Sequence, residues 1–160
     1  MLVRFTKNTP SAPADTLVCE RPDGTTARHD LPRQGILPHD AFHFVVETTL
    51  GWRDAFFGHI AAGAAHLSLA AKLDAAKPPS AKITPTLQSA ALVECLEATQ
   101  WGGAPDPAVF AKTLAAACRR RRVPPPDISA EDLARVRLAL REFGAAWRPL
   151  SPGRSLERTF

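Results

Sequence analysis

The hydrophobic period of this chain changes at Pro38, and the change restricts the folds open to it. Before Pro38, "LVRFTK" (2–7) alternates inward and outward residues, and "TLVCERPDGTTARHDL" (16–31) places a Pro-Asp-Gly turn between two β-compatible runs. After Pro38, apolar residues recur at helical spacing. Strands followed by helices predict an α+β domain, in which an N-terminal antiparallel hairpin or three-stranded meander packs on about five helices.

Proline, glycine and capping residues mark where these helices begin and end. We expect one helix from Pro38 to about Leu50 and a second in "WRDAFFGHIAAG" (52–63), ended by its last glycine. The Ala-rich piece "AAHLSLAAKLDAA" (64–76) also permits a helix. Three further helices are predicted from Thr84 to Trp101, from Asp106 to about Arg121, and from Ser129, whose capping box uses Asp132, to near Trp147.

The 160 residues suit one domain, which we place at residues 1–150. The tail 151–160 has few apolar residues, so it either docks on the domain or stays mobile. The first residues lack the apolar core of a secretory signal, and no run of about eighteen apolar residues occurs. We therefore expect a cytoplasmic protein. Its three cysteines, odd in number and widely spaced, are expected to be reduced and buried.

One predicted helix carries a cluster of potential metal ligands in "LPHDAFHFVVE" (37–47). His39, Asp40, His43 and Glu47 fall within a sector of about 100° on that helix. Residues four apart rise only about 6 Å, so the two imidazoles and Glu47 can converge on one point. Such groups are sound ligands for Zn, Fe or Mn. The alternative is a polar stripe that faces solvent or forms a structural cluster, but this sector contains no cation to pair with its acids.

A single helix rarely completes a metal site, so a further acidic ligand is needed. Glu94 lies on an otherwise apolar stripe, where a carboxylate is costly unless it is paired or metal-bound. We expect it either to complete the metal shell or to pair with an arginine. His59 and His66 are weaker candidates, since Gly63 interrupts the helix between them. Asp40 would orient a ligand or act as the base, and an open coordination position would activate water for hydrolysis.

The residues His39-Asp40-Ala41-Phe42-His43 resemble known metal motifs. Their spacing is that of the HExxH zinc proteases, which implies the general-base role for Asp40. They also resemble the HDxxH motif of the ubiquinone-biosynthesis scaffold family, although Ala55 stands where that family has its last glutamate ligand. More broadly, residues 30–65 resemble small uncharacterised bacterial proteins that carry a His-Asp-x-x-His-x-x-x-Glu stretch. That likeness implies no particular activity.

The positive charge of the chain is concentrated near its C-terminus. Residues 119–160 hold ten arginines against five acidic residues, whereas residues 1–118 have a net charge of −1. The run "CRRRRVPPPD" (118–127) could neutralise phosphates, or it could simply complement the dipole of a helix that the prolines end. No aromatic residues stand among the arginines, so the run by itself does not indicate nucleic-acid binding. The rival to a metal enzyme is thus a non-catalytic interaction module whose Arg-rich C-terminal face binds an acidic protein or nucleic acid.

The usual sequence signatures of nucleotide binding and of α/β-hydrolase chemistry are missing. The chain contains no G-x-x-x-x-G-K-[ST], no G-x-G-x-x-G and no G-x-S-x-G. A small-molecule substrate stays possible through the metal site alone. Whether the protein is an enzyme is left open at this point.

Overall fold

Four strands form one antiparallel sheet with the order β3-β2-β1-β4. The computed structural model describes residues 1–33, 36–64, 79–99 and 105–160. The strands are β1 (Leu2–Thr6), β2 (Asp15–Glu20), β3 (Thr26–Leu31) and β4 (Ser155–Thr159). The Pro-Asp-Gly turn joins β2 to β3, with Gly24 at a φ of 80° that suits glycine. The predicted meander is present, and a fourth strand extends it.

Within those ranges, five helices accompany the sheet and confirm the α+β fold. They are α1 (His39–Leu50), α2 (Phe56–Ala61), α3 (Thr84–Ala98), α4 (Pro107–Arg120) and α5 (Ala130–Trp147). Asp106 accepts hydrogen bonds from two backbone N–H groups at the start of α4, and Ser129 forms the predicted capping box with Asp132 at the start of α5. Most of the Ala-rich segment, residues 65–78, lies outside the described residues, as does Trp101.

Part of the hydrophobic core lies between one face of the sheet and helices α1 and α5, and the same cluster continues into α3 and α4. Alternate residues of β1 and β2, including Phe5 and Leu17, are fully buried and lie opposite each other in the strand register. The ring of Phe5 contacts Phe44 of α1 at 5.7 Å between centroids, and Phe143 of α5 at 5.2 Å, both edge to face. This packing determines which face of α1 points toward the sheet and, as a result, which face points away from it.

The tail docks, because it supplies β4. Residues 155–159 pair with β1 from Thr6↔Ser155 to Leu2↔Thr159, and Leu156 packs against the core. Backbone hydrogen bonds along β1 therefore stabilise a segment that has few apolar side chains of its own. An apolar pattern does not report such pairing, which is why the sequence left the tail undecided.

The turn after α1 brings the start of α2 back over α1. Gly51 takes a left-handed conformation at φ 68°, and the N–H of Trp52 bonds the carbonyl of Glu47 at 2.8 Å. Helix α2 then starts after Ala55, which has no side chain able to cap it. At Gly58, a Cβ atom would overlap the backbone oxygen of Arg53, so this return path requires glycine. No helix in the described part of the chain is long and apolar enough to cross a membrane.

Candidate functional site

The carboxylate of Glu47 caps the N-terminus of α2. It is fully buried, and it accepts hydrogen bonds from the backbone N–H groups of Phe56 at 3.1 Å and Phe57 at 2.7 Å, one on each oxygen. These N–H groups have no partner inside the helix, and the N-terminal end of a helix dipole favours a negative charge. Glu47 thus accepts the hydrogen bonds at the start of α2 that Ala55, the residue at the N-cap position, cannot accept with its side chain.

A chain of hydrogen bonds joins Glu47 to His43 through Ser89 of α3. The Ser89 hydroxyl donates to Oε1 of Glu47 at 3.1 Å, and its oxygen lies 3.1 Å from Nδ1 of His43. Because the hydroxyl has a single proton, we infer that Nδ1 of His43 carries a proton and donates to Ser89. The same nitrogen lies 3.4 Å from Oε1 of Glu47. All three side chains are buried, so the network links α1, α2 and α3 inside the protein.

This network has the residue types of a hydrolytic triad but not its arrangement. In a triad, the serine and the carboxylate bind opposite nitrogens of the histidine. Here Ser89 and Glu47 lie beside the same nitrogen, and Ser89 gives its proton to the carboxylate. Ser89 is also 0% exposed, so a substrate carbonyl has no access to it. The geometry is that of a structural network.

His39 does not join that network, although its ring lies edge to face against His43 at 5.1 Å between centroids. Its Nδ1 instead pairs with a carboxylate oxygen of Glu97 at 2.9 Å, and the side chain is 58% exposed. The hydrogen bond to Glu97 raises the pKa of His39, and the charge of Glu97 acts in the same direction. His39 therefore belongs to an ion pair between α1 and α3 at the surface.

Asp40 faces the sheet. Its Oδ2 lies 3.8 Å from Nε2 of His29 on β3, and both side chains are largely buried. Cys19 lies on the adjacent strand, and its pKa is raised to about 12 by burial, with Asp40 adding to the shift. A thiol with that pKa is protonated at neutral pH and is a poor nucleophile. Asp40 thus contacts a histidine of the sheet, and the predicted role of Asp40 in catalysis stays a prediction.

Glu94 pairs with arginines, the alternative that the sequence left open. Its two carboxylate oxygens contact Arg120 and Arg121 at the end of α4, the second at 2.6 Å. The hydrogen bond to Arg121 lowers the pKa of Glu94, opposed by partial burial. The Glu94 side chain is 44% exposed, so Glu94 is a paired carboxylate at the surface, and its role as a metal ligand stays a prediction. Two arginines of the "CRRRR" run consequently share the single negative charge of Glu94.

The predicted metal ligands have other partners in this structure. Within residues 1–33, 36–64, 79–99 and 105–160, no group of three or more His, Cys, Asp or Glu side chains is arranged to hold a metal ion. Binding of Zn, Fe or Mn by His39, His43, Glu47 and Glu94 stays a prediction, and it would require Glu47 to release the start of α2. His59 has a buried Nε2 without a hydrogen-bond partner among the described residues, and His66 lies outside them.

A second feature is a cavity of about 390 Å³ between α1, α3 and α5. Its apolar lining includes Phe42 of α1, Leu96 of α3 and Leu140 of α5. Three arginines of α5 and its C-cap, which we call the arginine triplet, also line it: Arg137, Arg141 and Arg148. No Asp or Glu is among the described residues of the lining. The volume lies in the range of about 300–1,000 Å³ typical of ligand pockets.

The triplet is only partly satisfied by the protein itself. The guanidinium of Arg137 lies over the Phe110 ring at 5.0 Å, and its Nη2 is buried without a hydrogen-bond partner in the described chain. Burial lowers the pKa of Arg137, and the charge of Arg141 lowers it further. Arg148 donates from Nε to the carbonyl of Gly144 at 3.2 Å. An anion would relieve both the like-charge repulsion and the unpaired donor.

Several of these residues escaped prediction from sequence. His29 could have been placed on the inner face of β3, since it alternates with the buried Leu31. Ser89 carried no signal beyond its place in an apolar helix. The arginine triplet did have a sequence signal, because its spacings of four and seven residues put its three members on one side of α5.

Comparison of the chain with protein-family models, with curated proteins and with solved structures found no match. The likeness to metal-binding motifs therefore rests on residues 39–47 alone, and the function is argued from the geometry.

Proposed function

We propose that this protein is a non-catalytic binding module that recognises an acidic partner protein through the arginine triplet. One observation carries the proposal: three arginines on one side of α5 line an apolar cavity whose described lining contains no carboxylate. Charges that lack a counterion among the described residues favour a partner of opposite sign, and arginine is the residue best suited to bidentate pairing with carboxylates. The partner then supplies the missing acids.

The use of the histidine and acidic residues inside the fold supports a binding role. Glu47 and Ser89 are fully buried and hydrogen-bonded to one another, and Glu47 also holds the start of α2. Groups engaged in this way stabilise the scaffold on which the cavity is built. Because α1 contributes Phe42 to the cavity and Glu47 to the network, the two features share one helix.

The apolar lining favours a protein partner over a nucleic acid. Phosphate backbones are bound mainly by exposed cations, whereas an acidic protein can offer apolar side chains beside its carboxylates. At the end of α4, Arg120 and Arg121 already share the carboxylate of Glu94, whereas no carboxylate is among the described residues that line the cavity beside the triplet. The triplet on α5 is therefore the center of the proposed surface.

The test is binding of a labelled, capped peptide of alternating Glu and Leu, measured by fluorescence polarisation over a salt series. Arg141→Gln removes an exposed member of the triplet, and Arg119→Gln removes an exposed arginine at the end of α4 as the matched control. We expect binding that weakens with salt and falls about tenfold or more in Arg141→Gln, the loss expected for a charge-assisted hydrogen bond. Equal losses in both variants, or no binding, would contradict the proposal.

A further inference from the structure

The cavity is lined both by apolar side chains and by positively charged arginines, and these two parts of the lining favour different ligand groups. Phe42 of α1, Leu96 of α3 and Leu140 of α5 provide apolar surface, and the triplet adds the guanidinium groups. A carboxylate alone would satisfy the arginines and leave the apolar surface in contact with water. An apolar group alone would leave the buried Nη2 of Arg137 without a partner. A single ligand group of either kind therefore uses half of the site.

We propose that the cavity binds an apolar side chain of the partner together with the carboxylate of a neighbouring acidic residue. This inference rests on the proposed function and specifies the partner segment: acidic residues flanked by large apolar ones, with the apolar side chain inserted between α1, α3 and α5. Arg137 and Arg141 stand four residues apart on α5, about 6 Å along its axis, so a carboxylate can contact both. Burying one large apolar side chain contributes about 1.5–3 kcal/mol, equivalent to roughly tenfold to a hundredfold in affinity.

Gly144 offers a way to close the cavity without removing a charge. It lines the cavity, and a Cβ atom there would meet only the side chain of Leu37, at the ordinary distance of 3.7 Å. Gly144→Leu would extend a side chain into the space, whereas Gly144→Ala would add one methyl group. The pair of variants therefore separates occupation of the cavity from a change in the helix itself.

The experiment compares three capped peptides of equal length on the full chain: Glu alternating with Leu, Glu alternating with Ser, and Gln alternating with Leu. We expect the Glu–Leu peptide to bind about tenfold or more tightly than either of the others, which lack the apolar group or the charge. Gly144→Leu should abolish this advantage over the Glu–Ser peptide, and Gly144→Ala should preserve most of it. Circular dichroism checks that both variants are folded.

The outcomes separate this inference from the proposed function. If the Glu–Ser peptide binds as tightly as the Glu–Leu peptide with salt-sensitive, Arg141-dependent affinity, the acidic partner stands and the apolar insertion is wrong. If neither acidic peptide binds, both proposals fail. If free octanoate, added as a further probe, binds while neither acidic peptide does, the cavity belongs to a small carboxylate and both proposals are overturned.

Discussion

The backbone N–H of Phe57 donates a 2.7 Å hydrogen bond to the buried carboxylate of Glu47, ten residues earlier in the chain. A residue singled out as a metal ligand thus acts as the cap of a short helix. With six residues, α2 is too short to be stable from its own hydrogen bonds. Its position depends on this carboxylate and on the aromatic rings that α2 packs against α1.

Glu47→Gln should destabilise the protein by about 1–3 kcal/mol, the cost of leaving a buried hydrogen-bonding group unsatisfied. The glutamine amide would have to present an NH₂ group to one of three donors that now meet carboxylate oxygens. Urea unfolding followed by circular dichroism measures the loss. The exposed Glu142 of α5 provides the control, for which Glu142→Gln should change stability by less than about 0.5 kcal/mol. Similar results for the two variants would disprove the capping role of Glu47.

Two glycines in helices should respond oppositely to alanine. Gly58→Ala forces a Cβ atom onto the backbone oxygen of Arg53 and should cost about 3 kcal/mol, the upper end for an overpacked site. Gly144→Ala meets only a Leu37 methyl group at 3.7 Å and should stabilise α5 by about 0.5–1 kcal/mol. Thermal unfolding of the two variants side by side measures both effects. A Gly58→Ala protein as stable as the wild type would contradict the close approach of Gly58 to the backbone of Arg53.

The pair of His39 and Glu97 should make stability depend on pH. The hydrogen bond to Glu97 raises the pKa of His39 above its usual 6.5, so the folded state binds the proton more tightly than the unfolded state. The stabilisation is fully present below pH 6.5 and is lost as the pH rises through the raised pKa. Because the imidazole is 58% exposed, solvent screening limits it to about 0.2–1 kcal/mol.

The measurement is urea unfolding of the wild type and His39→Gln between pH 5.5 and 8.5. This window of a few pH units includes the pKa of an ordinary histidine, about 6.5. The wild type should lose its advantage over His39→Gln as the pH rises. An advantage that grows with pH would show that the pair is not formed with a protonated His39.

The parts of the fold that follow from local sequence were predictable, and those made by distant residues were not. The period change at Pro38, the capping box of Ser129 and the turn at Gly24 are signals confined to a few residues, and each marks the element found there. The strand β4 depends on pairing with a segment about 150 positions away in the chain, which no local pattern shows.

The same distinction explains the candidate site. The helical sector that holds His43 and Glu47 was visible in the sequence, because it requires only helical geometry. The hydrogen-bond partners of these residues were not visible in the sequence. Ser89 lies 42 residues from Glu47, and the start of α2 returns over α1 through the turn at Gly51. A polar sector on a helix predicts that partners exist. Which partners they are is decided by tertiary packing.

The most direct test of the structural role of the histidine and acidic residues is the metal content of purified, untagged protein, measured by plasma mass spectrometry beside His43→Ala. We predict that Zn, Fe and Mn stay well below one ion per chain in the wild type and are unchanged in the variant, because Ser89 and Glu47 are the partners of His43. About one ion per chain in the wild type, lost in His43→Ala, would contradict that role and establish residues 39–47 as a metal site.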